Sequence, residues 1–287
     1  MLVNAVLSII KFLAGWLGHS HAVMADAVHG VSDTFTDGVI WIGSLFWDRP
    51  PDERHPHGHR KIEILVTLAV AFALTSVAVG LIARAVSSLR EGNFVKPGLL
   101  PLGAALLSVG VKEALYRWTL RQGRRLQSVP LQANAWHHRS DALSSIPAAI
   151  AVGVAAAKPS WIFLDRVGEV VVSVIILHAA FKIAWPTLQK LVDVTAPLEQ
   201  LVSIQDIAAG TEGVREVHAL RARYVGTTRL AVDLHVLVDP EMNVKVGHDI
   251  ASRVRDRLIE QQPGVVDVVV HVEPYDAAES VRFARRT

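Results

Sequence analysis

The chain has 287 residues, 51% of them hydrophobic and 20% charged, with a mean hydropathy of +0.33; this is high for a soluble protein. Its 29 basic and 27 acidic residues leave a net charge of +2, so no nucleic-acid or other large acidic partner is implied. Cysteine is absent, so disulfides and thiolate ligands are excluded, and any metal must be held by carboxylates and the 13 histidines.

Composition shifts along the chain. All seven tryptophans fall before residue 186, several at the ends of apolar runs, as an interfacial aromatic belt would place them. Residues 1–193 are therefore predicted to form a membrane domain and residues 194–287 a soluble, charge-rich one. The first apolar run, residues 2–17, lacks the basic start and small-residue exit of a cleavable signal. It is also shorter than the roughly 20 residues a spanning helix wants.

The second run, residues 22–46, carries Asp26, His29, Asp33 and Asp37. A helix turns every 3.6 residues or so, which stacks His29, Asp33 and Asp37 on one face, with Asp26 one turn earlier on roughly the same side. An ionised group at the bilayer centre costs about 2.5–3.5 kcal/mol on insertion scales. On a soluble helix this stripe would be surface decoration; in an apolar span it marks a site or an ion pathway, with Asp26 and Asp37 as accessory transmembrane carboxylates. Asp48-Arg49-Pro50-Pro51 then stops the helix. The loop over residues 52–61 is polar and basic, as cytoplasmic connections are. It also crowds Asp52, His55, His57 and His59 together, so it reads either as a plain connection or as a second metal site.

Residues 62–89 and 97–120 are the third and fourth predicted spans. Lys112 and Glu113, near the end of the fourth, are expected to snorkel or pair rather than bind metal. Residues 117–125 are read as a second basic loop. The fifth span, residues 131–156, contains His137-His138-Arg139-Ser140-Asp141 near its start, again a His and an Asp four residues apart. Packed against the second helix, His29, Asp33, His137 and Asp141 would bring two imidazoles and two carboxylates to one point, a good tetrahedral set for Zn²⁺. The sixth span, residues 161–191, holds His178 and Lys182, read as packing or interfacial groups. Six spans return both termini to the side of the basic loops, the cytoplasm of a bacterium, and make this a multi-pass inner-membrane (cell-membrane) protein.

After Asp193 the pattern changes to an amphipathic helix (197–209), two strands (214–222 and 229–238), a helix (244–261) and a strand (265–272). Leu230, Val232, Leu234 and Val236 alternate onto one face of the second strand. The result is an α-β-β-α-β domain.

Four stretches carry a resemblance that covers nearly the whole chain. They are Ala25-Asp26-Ala27-Val28-His29-Gly30-Val31-Ser32-Asp33, Pro50-Pro51-Asp52-Glu53-Arg54-His55-Pro56-His57-Gly58-His59, Ala135-Trp136-His137-His138-Arg139-Ser140-Asp141-Ala142-Leu143-Ser144-Ser145 and His218-Ala219-Leu220-Arg221-Ala222-Arg223. In this order they closely resemble the cation diffusion facilitators. The resemblance implies an α-helical membrane protein with six transmembrane helices plus a C-terminal α/β cytoplasmic domain of ferredoxin-like, metallochaperone-like fold. It implies a homodimer in the lipid bilayer that exports divalent metal ions in exchange for protons.

By the same resemblance the transport metal sits on His29, Asp33, His137 and Asp141, and a loop metal on Asp52, His55 and His59, with His57 as an extra histidine. A regulatory set in the cytoplasmic domain falls on His218, His235, His248, His271 and Glu273, where Glu273 replaces a common Asp. Lys61 and Asp193 match an ion pair at the family's dimer interface. Taken without the resemblance, His235 and His271 would be solvent-facing strand residues, and Lys61 and Asp193 ordinary flanking charges. A His-Asp/His-Asp set is similar to that of zinc-selective members, so Zn²⁺ is the expected cargo and a candidate regulatory ligand; Fe²⁺, Co²⁺, Cd²⁺ and Mn²⁺ are the alternatives.

An unperturbed histidine titrates near pH 6.5 and binds metal in its neutral form, so metal binding and proton release are linked at physiological pH. Two rival readings differ in class. One is a metal sensor or scaffold that moves no ion. The other is an intramembrane metalloenzyme, against which stand the missing His-Glu-x-x-His and a quartet with no open position for a catalytic water.

Overall fold

A computed structural model describes residues 2–92 and 94–276. The described residues divide into two compact units, one of residues 2–43 with 67–184, the other of residues 44–66 with 185–276.

The first unit is helical. It is supplied by α1 (Leu2–Leu17), α2 (His21–Trp47), α3 (Lys61–Glu91), α4 (Leu99–Arg125), α5 (Val129–Ala157) and α6 (Leu164–Leu191), with one end each of α2, α3 and α6 belonging to the second unit. Among the described residues, four stretches combine the length and apolarity of a span: 61–91, 99–125, 131–157 and 159–191. The other two predicted spans form helices but fall short for physical reasons. α1 has 16 residues, and α2, with 27, carries Asp26, Asp33 and Asp37 along its length.

Small residues let these helices approach closely, since packing of one backbone against another must replace the hydrophobic drive that lipid removes. Ala22, Ala25, Ala78, Ala148 and Ala151 form a buried cluster with Val172 and Ile176. Large apolar side chains such as Phe35, Trp41, Phe72, Ile150 and Phe181 point outward, where a bilayer would cover them. The orphan amides at the start of α2 are met by Ser20, whose Oγ accepts from Val23 N–H, and by Asp165 of α6, which accepts from Ser20 Oγ and His21 N–H at 2.6 Å each. Arg84 of α3 and Arg166 of α6 both donate to the buried Glu169, at 2.6 and 3.0 Å.

One sequence expectation needs correction. Residues 117–125 are not a loop but the last two turns of α4, because arginine is a good helix former and Arg124 and Arg125 complement the negative end of the helix. Glu113 pairs with Arg117 one turn on, at 2.7 Å.

The second unit contains α7 (Leu198–Ala209), β1 (Glu216–Tyr224), β2 (Leu230–Val238), α8 (Val244–Gln261) and β3 (Val265–Pro274). The sheet has the order β1-β2-β3, with β1 antiparallel and β3 parallel to the central β2. Its core lies on one face, where Leu230, Val232, Leu234, Val236 and Val238 of β2 meet Ile204 and Ala208 of α7 and Ile250, Val254 and Leu258 of α8. β1 carries a bulge between His218 and Arg221, with Ala219 at φ +50°. Strict alternation would put Val217 and Ala222 on opposite faces; the extra residue brings both into the core and turns His218 to the other side.

Candidate metal centres

In the membrane unit, α2 and α5 each hold a His and an Asp one helical turn apart. His29 Nδ1 lies 3.8 Å from Asp33 Oδ1, and His137 Nδ1 lies 3.8 Å from Asp141 Oδ1. A cavity of about 150 Å³ is lined by His29, Asp33, Asp37 and His137, with Thr36 and apolar groups of α3 and α6 completing its wall. Asp33 lies within electrostatic reach of His29, Asp141, Lys112 and His137, so the two pairs act on each other. Their donor atoms are not drawn into a compact four-donor group: among the described residues, the sets whose donors all lie within 4.8 Å of one another are in the loop and the sheet.

Asp141 is 7% exposed and its Oδ2 has no hydrogen-bond partner among the described residues. Asp26, read from the sequence as an accessory of the stripe, is held by Lys11 and Ser145. Its Oδ2 meets Lys11 Nζ at 2.9 Å, its Oδ1 accepts from Ser145 Oγ at 2.9 Å, and both charged side chains are 1% exposed. Asp37 is exposed at the cavity wall.

The loop set is compact. Asp52 Oδ1 lies 3.2 Å from His55 Nδ1, Asp52 Oδ2 3.2 Å from His59 Nε2, and the two ring nitrogens are 3.1 Å apart. Asp52 Oδ1 also accepts the backbone N–H groups of His55 and Arg54, at 2.7 and 2.9 Å; the first of these dominates in holding its carboxyl below the usual range. Gly58 adopts φ +78°, a turn that brings His59 back towards Asp52. His57 stands outside the set.

The sheet set lies on the face opposite the core. His218, His235 and His271 occupy one level across the three strands, His218 opposite His235 and His235 opposite His271. Glu273 bridges them, 2.8 Å from His218 Nε2, 2.8 Å from His235 Nδ1 and 3.4 Å from His271 Nε2. His218, His235 and Glu273 form the compact core of this set. His248, grouped with them by the resemblance, is not in it: it is exposed on α8 and lines a groove of about 410 Å³ that Glu273 also borders. Lys61 Nζ and Asp193 Oδ1 are 4.0 Å apart, both more than half exposed.

Two lysines escaped the sequence reading as site residues. Lys11 and Lys112 are 1% and 3% exposed, and each faces an acidic residue of the stripe helices, Asp26 and Asp141 respectively. The available signal was a lone lysine in each of two apolar runs, which identifies an expensive charge but not its partner.

The cation efflux transmembrane domain model matches residues 1–192, and the model of the cation efflux protein cytoplasmic domain matches residues 196–275. The chain is 35% identical over 283 residues to metal tolerance protein C1 of Arabidopsis thaliana, covering 93% of this chain and 59% of that protein's length. It is 34% identical over 273 residues to an uncharacterized transporter of Methanocaldococcus jannaschii, covering 95% of each. With the manganese efflux system protein MneP of Bacillus subtilis the identity is 30% over 280 residues, covering 96% of this chain and 94% of that one.

Proposed function

The chain belongs to the cation diffusion facilitator family, whose members are divalent metal cation efflux transporters and not enzymes, and we propose that it exports Zn²⁺ in exchange for protons by alternating access. The observation that carries this reading is the cavity lined by His29, Asp33, Asp37 and His137, with the buried Asp141 carboxylate 3.8 Å from the His137 ring. Two imidazoles and two carboxylates suit tetrahedral Zn²⁺ without the grip of thiolates. Histidine donors link metal uptake to proton release, because the protonated ring cannot ligate.

His29, Asp33, His137 and Asp141 are assigned to the transported metal. The loop set of Asp52, His55 and His59 and the sheet set of His218, His235, His271 and Glu273 are assigned to accessory metal, with His248 as an outlying member. We place the working protein as a homodimer in the inner membrane with both termini cytoplasmic, Lys61 and Asp193 tying α3 to the end of α6. Manganese is the second reading for the cargo, favoured by the likeness to a manganese efflux protein.

Metal uptake into proteoliposomes under an imposed pH gradient tests the proposal, comparing Zn²⁺, Mn²⁺, Fe²⁺ and Cd²⁺ for the wild type, Asp33→Ala and Asp141→Ala. Zn²⁺ flux that follows the gradient and disappears in both variants is expected. Flux indifferent to pH would remove the antiport, and preference for Mn²⁺ would change the cargo. No flux of any metal would leave a sensor or scaffold.

A further inference from the structure

Lys112 is the charged residue of α4 that reaches neither water nor the bilayer surface, with 3% of its side chain exposed. Its Nζ stands 3.9 Å from Asp141 Oδ2 and 3.5 Å from the Asp141 carbonyl oxygen. The first distance is close enough for strong charge attraction and too long for a hydrogen bond. Asp141 Oδ2 has no other polar partner among the described residues. Lys11, Asp26, Asp33 and His138 also lie within electrostatic reach of Lys112.

The other buried pair provides the comparison. Lys11 grips Asp26 at 2.9 Å and donates to the Asp26 carbonyl oxygen as well, while Ser145 holds the carboxylate from the other side. That pair is bonded on every side. Lys112 donates a long hydrogen bond to the Asp141 carbonyl oxygen but balances the carboxylate by charge without bonding it, and a lysine on its flexible stem can withdraw from such a contact.

Resting on the export function proposed above, we infer that Lys112 is a tethered counter-ion that competes with the cargo for Asp141. With no metal present its ammonium balances the buried carboxylate, sparing the membrane interior an uncompensated charge. A dication arriving at Asp141 takes over that role and pushes Lys112 aside. The competition weakens metal binding, and the returning ammonium favours release. Lys112 thus acts through Asp141 and is not itself a ligand.

Calorimetric Zn²⁺ binding to the full-length protein in near-neutral buffer and Zn²⁺ uptake kinetics in proteoliposomes, for wild type, Lys112→Met, Lys112→Gln and Lys112→Arg, test this. Met and Gln remove the charge while keeping most of the stem; Arg keeps the charge. Loss of the competitor is expected to tighten Zn²⁺ binding and lower KM by about tenfold in the Met and Gln variants. Their maximal rate should fall, because a tighter site empties slowly, and Lys112→Arg should restore both constants towards the wild type. A residue needed only for packing would leave KM unmoved or lose binding and uptake together. Unchanged constants in a folded Met or Gln variant, or weaker Zn²⁺ binding in both, would overturn the counter-ion role while wild-type transport stands. A wild type that moves no metal would overturn the export function, and this inference with it.

Discussion

The Lys11–Asp26 pair sets a sharp test of what the stripe on α2 is for. Replacing Lys11 by Met leaves a carboxylate that is 1% exposed with Ser145 Oγ as its remaining side-chain donor. Breaking one half of a buried pair costs about 3–5 kcal/mol, because the surviving charge stays buried without its partner. At about 2–4 °C per kcal/mol for chains of this general size, the midpoint of thermal unfolding in detergent should fall by roughly 6–20 °C. Lys11→Met combined with Asp26→Asn removes both charges and keeps a group that Ser145 can bond, so most of the loss should return. Tryptophan fluorescence during heating reads both effects. If Asp26 is structural, Zn²⁺ affinity of the double variant, measured well below its melting point, should match the wild type. A Lys11→Met midpoint within about 2 °C of the wild type, or a double variant whose loss is the sum of the two single losses, would refute the pair as a mutual requirement.

Two further outcomes concern the second unit. Burial pushes the Glu273 carboxyl up, but hydrogen bonds from His218 and His235 outweigh it and hold the group below its ordinary value. A carboxyl depressed in the folded state contributes stability that is fully present above its unfolded value, about pH 4.3, and is lost as pH falls through the folded one. Glu273→Gln should therefore flatten the acid limb of amide protection in β2 and β3 below about pH 4; identical limbs by hydrogen exchange would contradict the assigned contacts. At Gly226, in the β1–β2 turn, an added Cβ would stand 2.8 Å from Glu63 Oε2, so the Glu63 carboxylate would have to shift. Gly226→Val should cost about 1–3 kcal/mol by displacing Thr227, whose N–H and Oγ1 both donate to Glu63; unaltered proteolysis of the turn would show that the contact contributes nothing.

Helical periodicity made the His29, Asp33 and Asp37 face legible, because a 3.6-residue turn is a property of the backbone and needs no knowledge of neighbours. The order of elements after residue 196 was legible for the same reason, and α8 spans Val244–Gln261 as the pattern predicts. What stayed hidden depends on contacts between distant parts of the chain. Lys11 meets Asp26 across 15 positions and Lys112 meets Asp141 across 29, and no spacing rule reaches that far. The bulge at Ala219 was hidden as well. One added residue decides which face His218 occupies, and with it whether the three histidines and Glu273 share a surface. Residues 117–125 misled for the opposite reason: a run of arginines looks like a loop by charge and is a good helix by propensity.

The carboxylates of α2 and α5 divide by partner. Asp26 is cancelled by a bonded lysine, and Asp141 by one held loosely at 3.9 Å. Asp33 and Asp37 have no lysine or arginine within 4.0 Å among the described residues, and both line the cavity. The partly apolar wall penalises the half-buried Asp33 carboxylate more than the exposed Asp37, and cations from solution, one dication or protons on the carboxylates and imidazoles, would offset that penalty. Under the proposed antiport, metal and protons are thus alternative solutions to one electrostatic problem, and a site that exchanges them holds one or the other in turn. Lys112 modifies this balance: by neutralising Asp141 in the metal-free state it reduces the number of protons the empty site needs. On this account a charge-removing substitution at Lys112 raises the protons exchanged per metal ion, whereas Lys11→Met, acting on a carboxylate outside the cavity, leaves that ratio where it was.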